Sequence, residues 1–423
     1  CKLLQKNKKY YYKSNHFVSV SSMVYRMKRN GAGLASICIL LTMVLVMISS
    51  TTSLYFGEED AVKNRCPNDV NITMTFDTIE GISDTNLNML RDCIRQYSGE
   101  DVNLKGVRAC EIPGLITQEG ITIDTSSHVN FSASTYNNVG YLSVLSIDDY
   151  NTMMGTNETL ADDECFVYCD RLNYQWDTFT MEYGATYKVK EQLDDFQVDG
   201  DTAAMIMPTV FLVVDDIYVF SEPVKDMKNS NGAPMMMYDW RCGFNVDTPD
   251  IENETSENLK EMFRNMYIEN NDAFYSYSVQ SRDAMRASFY DVYGSLFFLG
   301  IMLSIVFLLA AVLIIYYKQI SEGYEDYSRF EIMQKVGMTK KDIRKSINSQ
   351  MLTLFFLPLI LAGIHLTFAF PFISKILMLF AMDNIILSVI VNLICFVVFG
   401  LFYVLIYKIT SNSYYSIVSG RKE

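Results

Sequence analysis

The residues able to bind a metal or carry out catalysis are scattered along this sequence. Cys165 and Cys169 are four positions apart, but the chain has only three histidines (His16, His128, His365), and these fall in three different segments. A zinc site needs further Cys or His ligands at matching spacing. We therefore expect structural or unpaired thiols rather than a metal centre.

The motifs of the commoner catalytic and nucleotide-binding sites are absent from the sequence. It contains no G-x-x-x-x-G-K-[ST] phosphate loop, no H-E-x-x-H and no G-x-S-x-G. These motifs place a phosphate cradle, a zinc site and a nucleophilic serine respectively. The sequence therefore predicts a chain that is not itself an enzyme and that holds no cofactor or metal.

Four apolar stretches dominate the composition, which is 50% hydrophobic and 20% charged over 423 residues. They cover residues 33–56, 292–317, 351–373 and 384–407, and none of them contains a charged residue. At about 1.5 Å per residue in a helix, each is long enough to cross the roughly 30 Å hydrocarbon core of a bilayer. They predict a multi-pass α-helical membrane protein with four transmembrane helices.

A histidine lies inside the third of these stretches. His365 has no second ionisable residue in the same span. An ion path is one interpretation, because ionisable groups within membranes are often functional. The expected arrangement is a neutral imidazole bonded to a neighbouring helix.

The distribution of charge predicts the orientation of the spans. Residues 1–32 carry eight Lys or Arg and no acid, residues 318–350 carry seven basic and five acidic residues, and residues 408–423 carry three basic and one acidic. Basic residues beside spans are retained on the cytoplasmic side. We therefore expect a cell-membrane protein whose N- and C-termini and residues 318–350 are cytoplasmic.

The long segment 57–291 is predicted to be a large extracytoplasmic domain. It holds 42 Asp or Glu against 16 Lys or Arg, a net charge of −26. Such a field repels nucleic acid and attracts cationic ligands, so a basic peptide is the more natural partner. Simple solvation of an exposed domain is the alternative explanation.

Hydrophobic periodicity predicts a mixed α/β fold for this domain. Alternating apolar residues indicate a strand over 70–76, and a second strand is indicated over 210–219. Spacings of three and four indicate helices from Asp84 (with Leu87, Leu90 and Ile94) and from Ser256 (with Leu259, Met262, Phe263 and Met266). A further helix can run from about Ser281 into the second span.

Residues 318–350, here called the coupling segment, are predicted to form a helix, a break and a second helix. Gly337 is expected to end the first helix, and Thr339 is placed to cap the next. Apolar residues mark one face of each helix (Phe330, Met333 and Val336, then Ile343, Ile347 and Met351). The continuing helix leads into the third span.

The sequence RFEIMQKVGMTKKDI, residues 329–343, resembles the cytoplasmic coupling segment of FtsX-like ABC transporter permeases, in which a Glu-Ile pair, a Gly and an Asp-Ile pair recur. The four-span layout is similar as well. Residues 17–55 and 316–350 are more closely similar to the C-terminal half of permeases of the bacitracin-resistance type. That subfamily has ten spans, so we expect six further spans ahead of Cys1.

The resemblance implies a permease subunit above a dimeric ABC ATPase, which binds the ATP and hydrolyses it in a separate chain. ATP-driven motion would be transmitted to the outer domain, which acts on peptide antibiotics bound to lipid-linked cell-wall precursors. Relatives also contact a sensor histidine kinase. The residues implied in ATPase coupling are Arg329, Phe330, Glu331, Met333, Gly337 and Asp342; an ordinary juxtamembrane helical hairpin is the alternative for them.

A second function remains open from the sequence. Some FtsX-like proteins do not transport, and instead regulate or sense cell-wall hydrolases. This class shares the same topology. The two functions differ in their partners, since the first requires an ABC ATPase with a peptide antibiotic and the second a wall hydrolase.

Overall fold

The chain folds into two units, here called the membrane unit and the sheet domain. The computed structural model describes residues 14–99, 102, 104–123, 138–169, 172, 174–194, 196, 207–269, 274–335, 337, 339–378, 380, 382 and 384–418. The sheet domain consists of Glu58–Phe289 together with Met378–Met382, and the rest of the chain forms the membrane unit. The two units are described separately below.

Within its described residues, the sheet domain contains ten strands in one sheet and five α-helices. The strands are β1 Val70–Phe76, β2 Lys105–Ile116, β3 Gly120–Thr122, β4 Val139–Ser146, β5 Glu164–Cys169, β6 Thr178–Met181, β7 Thr186–Gln192, β8 Thr209–Val214, β9 Met237–Phe244 and β10 Ser276–Ser281. Helix α1, Ser14–Phe56, comes first in the chain and belongs to the membrane unit; the helices of the sheet domain are α2 Glu58–Arg65, α3 Asp84–Ser98, α4 Ile147–Met154, α5 Ile217–Ser221 and α6 Pro249–Glu269. The predicted mixed α/β fold is confirmed.

Strand β2 closes part of the sheet into a ring. It pairs with β9, β3 and β4, and the pairings β3–β6, β6–β7, β7–β5, β5–β8 and β8–β4 complete a circuit of seven strands. Strands β9, β1 and β10 extend outward from β2. Closure removes free edges from the ring, and β10 is left as the outermost strand of the extension.

The main core lies on one face of the sheet. Residues Val70, Ile72, Met74 and Phe76 of β1 alternate buried with half-buried neighbours, as predicted. The amphipathic helix α3 buries the predicted Leu87, Leu90 and Ile94 against this face. Each fully buried side chain of this kind contributes about 1.5–3 kcal/mol.

A smaller core covers part of the opposite face. It joins Tyr150 of α4 and Phe196 to sheet residues that include Phe166 and Phe211. The Phe196 and Phe211 rings stack with centroids 4.6 Å apart. The sheet is therefore packed on both faces over part of its width.

The predicted second strand is only half correct. Strand β8 ends at Val214, and the chain then turns into the short helix α5. The Asp216 carboxylate accepts a 2.7 Å hydrogen bond from the Tyr218 backbone N–H, which caps that helix. An Asp at this position stabilises a helix start at the expense of the strand.

The membrane unit is formed by four long helices. Its members are α1 Ser14–Phe56, α7 Arg282–Lys335, α8 Lys340–Met378 and α9 Ile385–Val418, so the helix predicted from about Ser281 is confirmed. Within the described residues, four helical segments are long and apolar enough to cross a membrane: Gly31–Phe56, Arg282–Ile332, Gln350–Met378 and Ile385–Val418. Exposed apolar side chains such as Phe368 and Ile386 cover their surfaces, as expected of helices that face lipid.

Polar side chains connect these helices inside the unit. His365 Nδ1 of α8 lies 3.2 Å from Thr42 Oγ1 of α1, which confirms that this histidine bonds to a neighbouring helix. The Tyr403 hydroxyl of α9 donates to the Phe355 carbonyl oxygen of α8 over 3.2 Å. Such bonds satisfy polar groups that the hydrocarbon core could not solvate.

Candidate functional site

The coupling segment contains a sharp break between two helices. Helix α7 ends at Lys335, Gly337 has a φ of +105°, and α8 begins at Lys340. Residues other than glycine rarely adopt this backbone conformation, so glycine is the residue that permits the turn. The predicted helix, Gly break and second helix are confirmed.

The first arm of the coupling segment is residues 318–335 of α7, and the second arm is residues 340–350 of α8. The first arm has a polar face that is buried. Gln319, Glu322, Asp326 and Phe330 recur at spacings of three and four, and all four are buried. Side chains at these spacings lie on the same side of a helix. The buried face of this helix is therefore mostly polar, because it carries two carboxylates and an amide in addition to one aromatic ring.

The C-terminal part of α9 contacts the buried face of the first arm. The Tyr414 hydroxyl donates a 2.7 Å hydrogen bond to Asp326 Oδ2, and both side chains are buried. The Tyr414 ring also packs closely against the backbone of α7, since a Cβ atom on Gly323 would lie 3.3 Å from it. The first arm is thus fixed to α9 by a hydrogen bond to a charged group and by close packing.

The next residue of α9 contacts the second arm. The Arg344 guanidinium of α8 lies over the Tyr415 ring, 5.0 Å from its centroid. This is within the range of a cation–π interaction. The adjacent tyrosines Tyr414 and Tyr415 therefore contact both arms of the coupling segment, one on each side of the Gly337 break.

The structure places three of the six predicted site residues in detail. Phe330 is 4% exposed and packs inside the unit, so it is not part of an exposed apolar surface. Glu331 is exposed and forms a 2.9 Å ion pair with Lys335 one turn later. Gly337 forms the break. The side chains of Arg329, Met333 and Asp342 lie outside the described part of the structure.

Other apolar side chains are exposed on the first arm. Tyr324, Tyr327 and Ile332 project from it, and Ile332 is 61% exposed. The sequence analysis did not select them, nor did it select Asp326, Arg344, Tyr414 or Tyr415. The pair Glu322 and Asp326, four positions apart beside an apolar span, was the available signal, because acids near a span are costly to bury without partners.

The sheet domain has a cleft on the face opposite the main core. Its volume is about 250 Å³, with polar walls that include Asn71, Ser143 and Arg241 and an apolar end that includes Phe196 and Phe211. Arg241 donates to Glu111 and, over 3.1 Å, to Asp239. Burial raises the pKa of Glu111, and the Arg241 guanidinium opposes that rise.

Metal ligands are not gathered among the described residues of either unit. Within the described ranges, no group of three or more His, Cys, Asp or Glu side chains is placed to hold a metal ion. Cys165 and Cys169 both lie on β5, four positions apart. The described residues provide a set of contacts between helices in the membrane unit and a cleft in the sheet domain.

Comparison with known proteins supports a permease. Over 153 residues, 36% of this chain, the sequence is 25% identical to the ABC transporter permease protein YxdM of Bacillus subtilis (strain 168). The aligned part spans 23% of that relative's length. Residues 301–420, which contain the whole coupling segment and helix α9, match the family model described as FtsX-like permease C-terminal, so the resemblance to FtsX-like permeases is confirmed for this part of the chain.

Proposed function

We propose that this chain is the permease subunit of an ABC transporter, and that its coupling segment binds a separate ATPase subunit and moves with it. The observation that carries the proposal is the contact of both arms with Tyr414 and Tyr415. A force on either arm would reach the same turn of α9. Rigid contacts of this kind transmit displacement between helices.

The ATPase would dock on the exposed side of the first arm. Ile332, Tyr324 and Tyr327 supply apolar and aromatic surface there, and Glu331 and Lys335 supply a charged rim. Interfaces commonly combine an apolar, aromatic centre with a polar rim. ATP would be bound and hydrolysed in the partner, so the permease itself requires no cofactor.

The transporter would protect the cell against peptide antibiotics that act on lipid-linked cell-wall precursors. In this proposal the sheet domain faces outward and recognises the antibiotic or its complex with the precursor, and the coupling segment faces the cytoplasm. The strongly acidic composition of residues 57–291 supports a cationic ligand. A sensor histidine kinase would be a further membrane partner.

Co-purification with the cognate ABC ATPase tests the docking surface. Ile332→Asp should lower ATPase recovery by about fivefold or more, since a charge is introduced into the centre of the interface. Val219→Asp is a matched control, because Val219 is equally exposed but lies in the sheet domain. Unchanged recovery and unchanged ATP hydrolysis with Ile332→Asp would remove this arm from the interface. Recovery of a wall hydrolase in place of an ATPase would favour the non-transporting class.

A further inference from the structure

We propose that the groove between helix α6 and the edge strand β10 binds an extended segment of a cationic polypeptide, which adds to the sheet as a further strand. The choice of ligand rests on the proposed function, in which the sheet domain recognises peptides. The location does not rest on the proposed function, because it follows from the open edge of β10, the shape of the groove and the charge of the domain.

The edge of β10 has hydrogen-bonding groups directed away from the sheet. Among the described residues, β10 pairs only with β1. The Arg282 backbone N–H donates to the Asp69 carbonyl oxygen over 2.8 Å, and this pair continues the register of β1 and β10 by one residue. In an antiparallel pair bonded and non-bonded positions alternate. The backbone N–H and C=O groups of Tyr277 and Val279 are therefore directed toward the open edge.

Nothing in the composition of β10 protects this edge. Its sequence, SYSVQS, contains no proline and no charged residue. Natural proteins commonly use charges, prolines or bulges to prevent an edge strand from pairing with another chain. Six residues at about 3.3 Å each leave an edge of about 20 Å for pairing.

Helix α6 forms the other wall of a groove beside this edge. Leu259 and Phe263 of the helix are fully buried in the main core, which fixes α6 on the sheet. Its outward side lines the groove with two acidic residues, Glu257 and Glu261, two basic residues, Lys260 and Arg264, and the apolar Ile268. Tyr277 and Val279 of β10 line the opposite side. The groove has a volume of about 890 Å³. A sheet edge beside a helix is a geometry that suits an added peptide strand.

The charge of the domain around the groove favours one class of occupant. The two acids and two bases that line the groove balance each other, but helix α6 as a whole carries six acidic and two basic residues, and residues 57–291 have a net charge of −26. A second copy of this chain would bring the same negative charge, so the field opposes self-pairing and favours a basic segment. Ile268 lines the groove and is exposed, which favours a peptide that also carries apolar residues.

Binding of a defined peptide to the full chain in neutral detergent tests the inference. The probe is a synthetic peptide of about seven alternating Lys and Val residues, which matches the length of the edge. Hydrogen exchange of the Tyr277 and Val279 amides should slow by about tenfold or more when it binds. A peptide of the same sequence that is N-methylated at every residue keeps the charge but loses the backbone donors on both of its edges, and should bind about tenfold more weakly.

Charge-reversal variants test whether the acidic residues of helix α6 contribute to peptide binding. Glu257→Lys combined with Glu261→Lys should weaken binding of the Lys–Val peptide by about tenfold, because both side chains are exposed beside the groove and the change reverses their charge. Asp162→Lys combined with Asp163→Lys makes the same change in net charge at exposed sites before β5, and should have a much smaller effect.

Three outcomes would overturn the inference. Equal affinity for the methylated and unmethylated peptides would exclude main-chain pairing, and unchanged exchange in β10 despite binding would place recognition elsewhere in the protein. Protection of β10 that rises with protein concentration in the absence of peptide would assign the edge to a second copy. Failure of every cationic peptide to bind would also remove peptide recognition from the proposed function, whereas ATPase docking would stand or fall separately by co-purification.

Discussion

The Tyr414 hydroxyl donates a 2.7 Å hydrogen bond to the Asp326 carboxylate, and the two residues are 88 positions apart in the sequence. Both side chains are buried in the membrane unit. A hydrogen bond to a charged group contributes about 1.5–3 kcal/mol. This bond attaches the first arm of the coupling segment to helix α9, while Tyr415 contacts the second arm through Arg344.

Removal of the Tyr414 hydroxyl should weaken this attachment. Tyr414→Phe is expected to lower the free energy of unfolding of the membrane unit by about 2 kcal/mol, because a buried carboxylate loses a donor. Tyr403→Phe is the matched control on the same helix, since its hydroxyl donates to a neutral backbone carbonyl, and should cost about 1 kcal/mol. Thermal unfolding in detergent measures both. Equal losses would show that the charged acceptor has no special weight.

Two glycines, one in the break between α7 and α8 and the other inside α7, should respond oppositely to the same substitution. Gly337 has a φ of +105° and Gly294 lies inside α7, and a Cβ atom would meet nothing within 4 Å at either position. Gly337→Ala should therefore destabilise the protein by about 1 kcal/mol through backbone strain alone. Gly294→Ala should stabilise it by up to about 1 kcal/mol, because alanine is the better helix former. Midpoints of thermal unfolding that shift in the same direction would contradict this account.

The cysteines of the sheet domain should differ in reactivity. Burial raises the pKa of the Cys110 and Cys242 thiols, and that of Cys165 to about 12. The thiolate is the reactive form, so these three should react with iodoacetamide at neutral pH at least about tenfold more slowly than the half-buried Cys93. Mass spectrometry of the labelled native chain identifies each site. Labelling of Cys165 as fast as Cys93 would contradict the packing of β5.

The stability of the sheet domain should depend on pH through Glu111. Its pKa is raised in the folded protein by burial, with Arg241 opposing the rise. The protonated carboxyl therefore stabilises the fold fully below about pH 4.3, the ordinary value for Glu. That contribution is lost as the pH rises through the raised pKa. The advantage of the wild type over Glu111→Gln in free energy of unfolding should accordingly fall with pH, by on the order of 1 kcal/mol per unit in this window.

The two tryptophans make this measurement specific. Trp176 and Trp240 are both buried in the core of the sheet domain, so their fluorescence during urea unfolding reports on that domain. Glu119→Gln, at an exposed position, is the control. If the wild-type and Glu111→Gln curves stayed parallel from about pH 4 to 7, the carboxyl would not be the titrating group.

The orientation of the chain is open to a direct test. In a cysteine-free background, a membrane-impermeant thiol reagent should label Asp162→Cys in intact cells and should label Lys345→Cys only after the cells are opened. Both positions are exposed, so accessibility is not limited by the fold. The prediction follows from the basic flanks of the spans. Labelling of Lys345→Cys in intact cells would reverse the topology.

Local patterns in the sequence predicted much of the fold. The apolar stretches indicated the four long helices, because backbone groups in hydrocarbon must be bonded within a helix and the side chains must be apolar. The alternation in β1 and the three-and-four spacing in α3 indicated which side chains enter the core. Gly337 indicated the break in the coupling segment. Each of these depends on residues near one another in the chain.

The partners of those elements were decided only by the tertiary structure. Phe330 shares its helix face with Gln319, Glu322 and Asp326 in the interior, where a simple amphipathic pattern suggested an apolar surface. The closure of the sheet through β2 and the open edge at β10 depend on pairings between distant strands. Hydrophobic periodicity predicts which residues are buried, but it does not predict which residues pack against them. Asp326 and Tyr414 are costly to bury alone and stable together, and their match exists only where helices α7 and α9 meet.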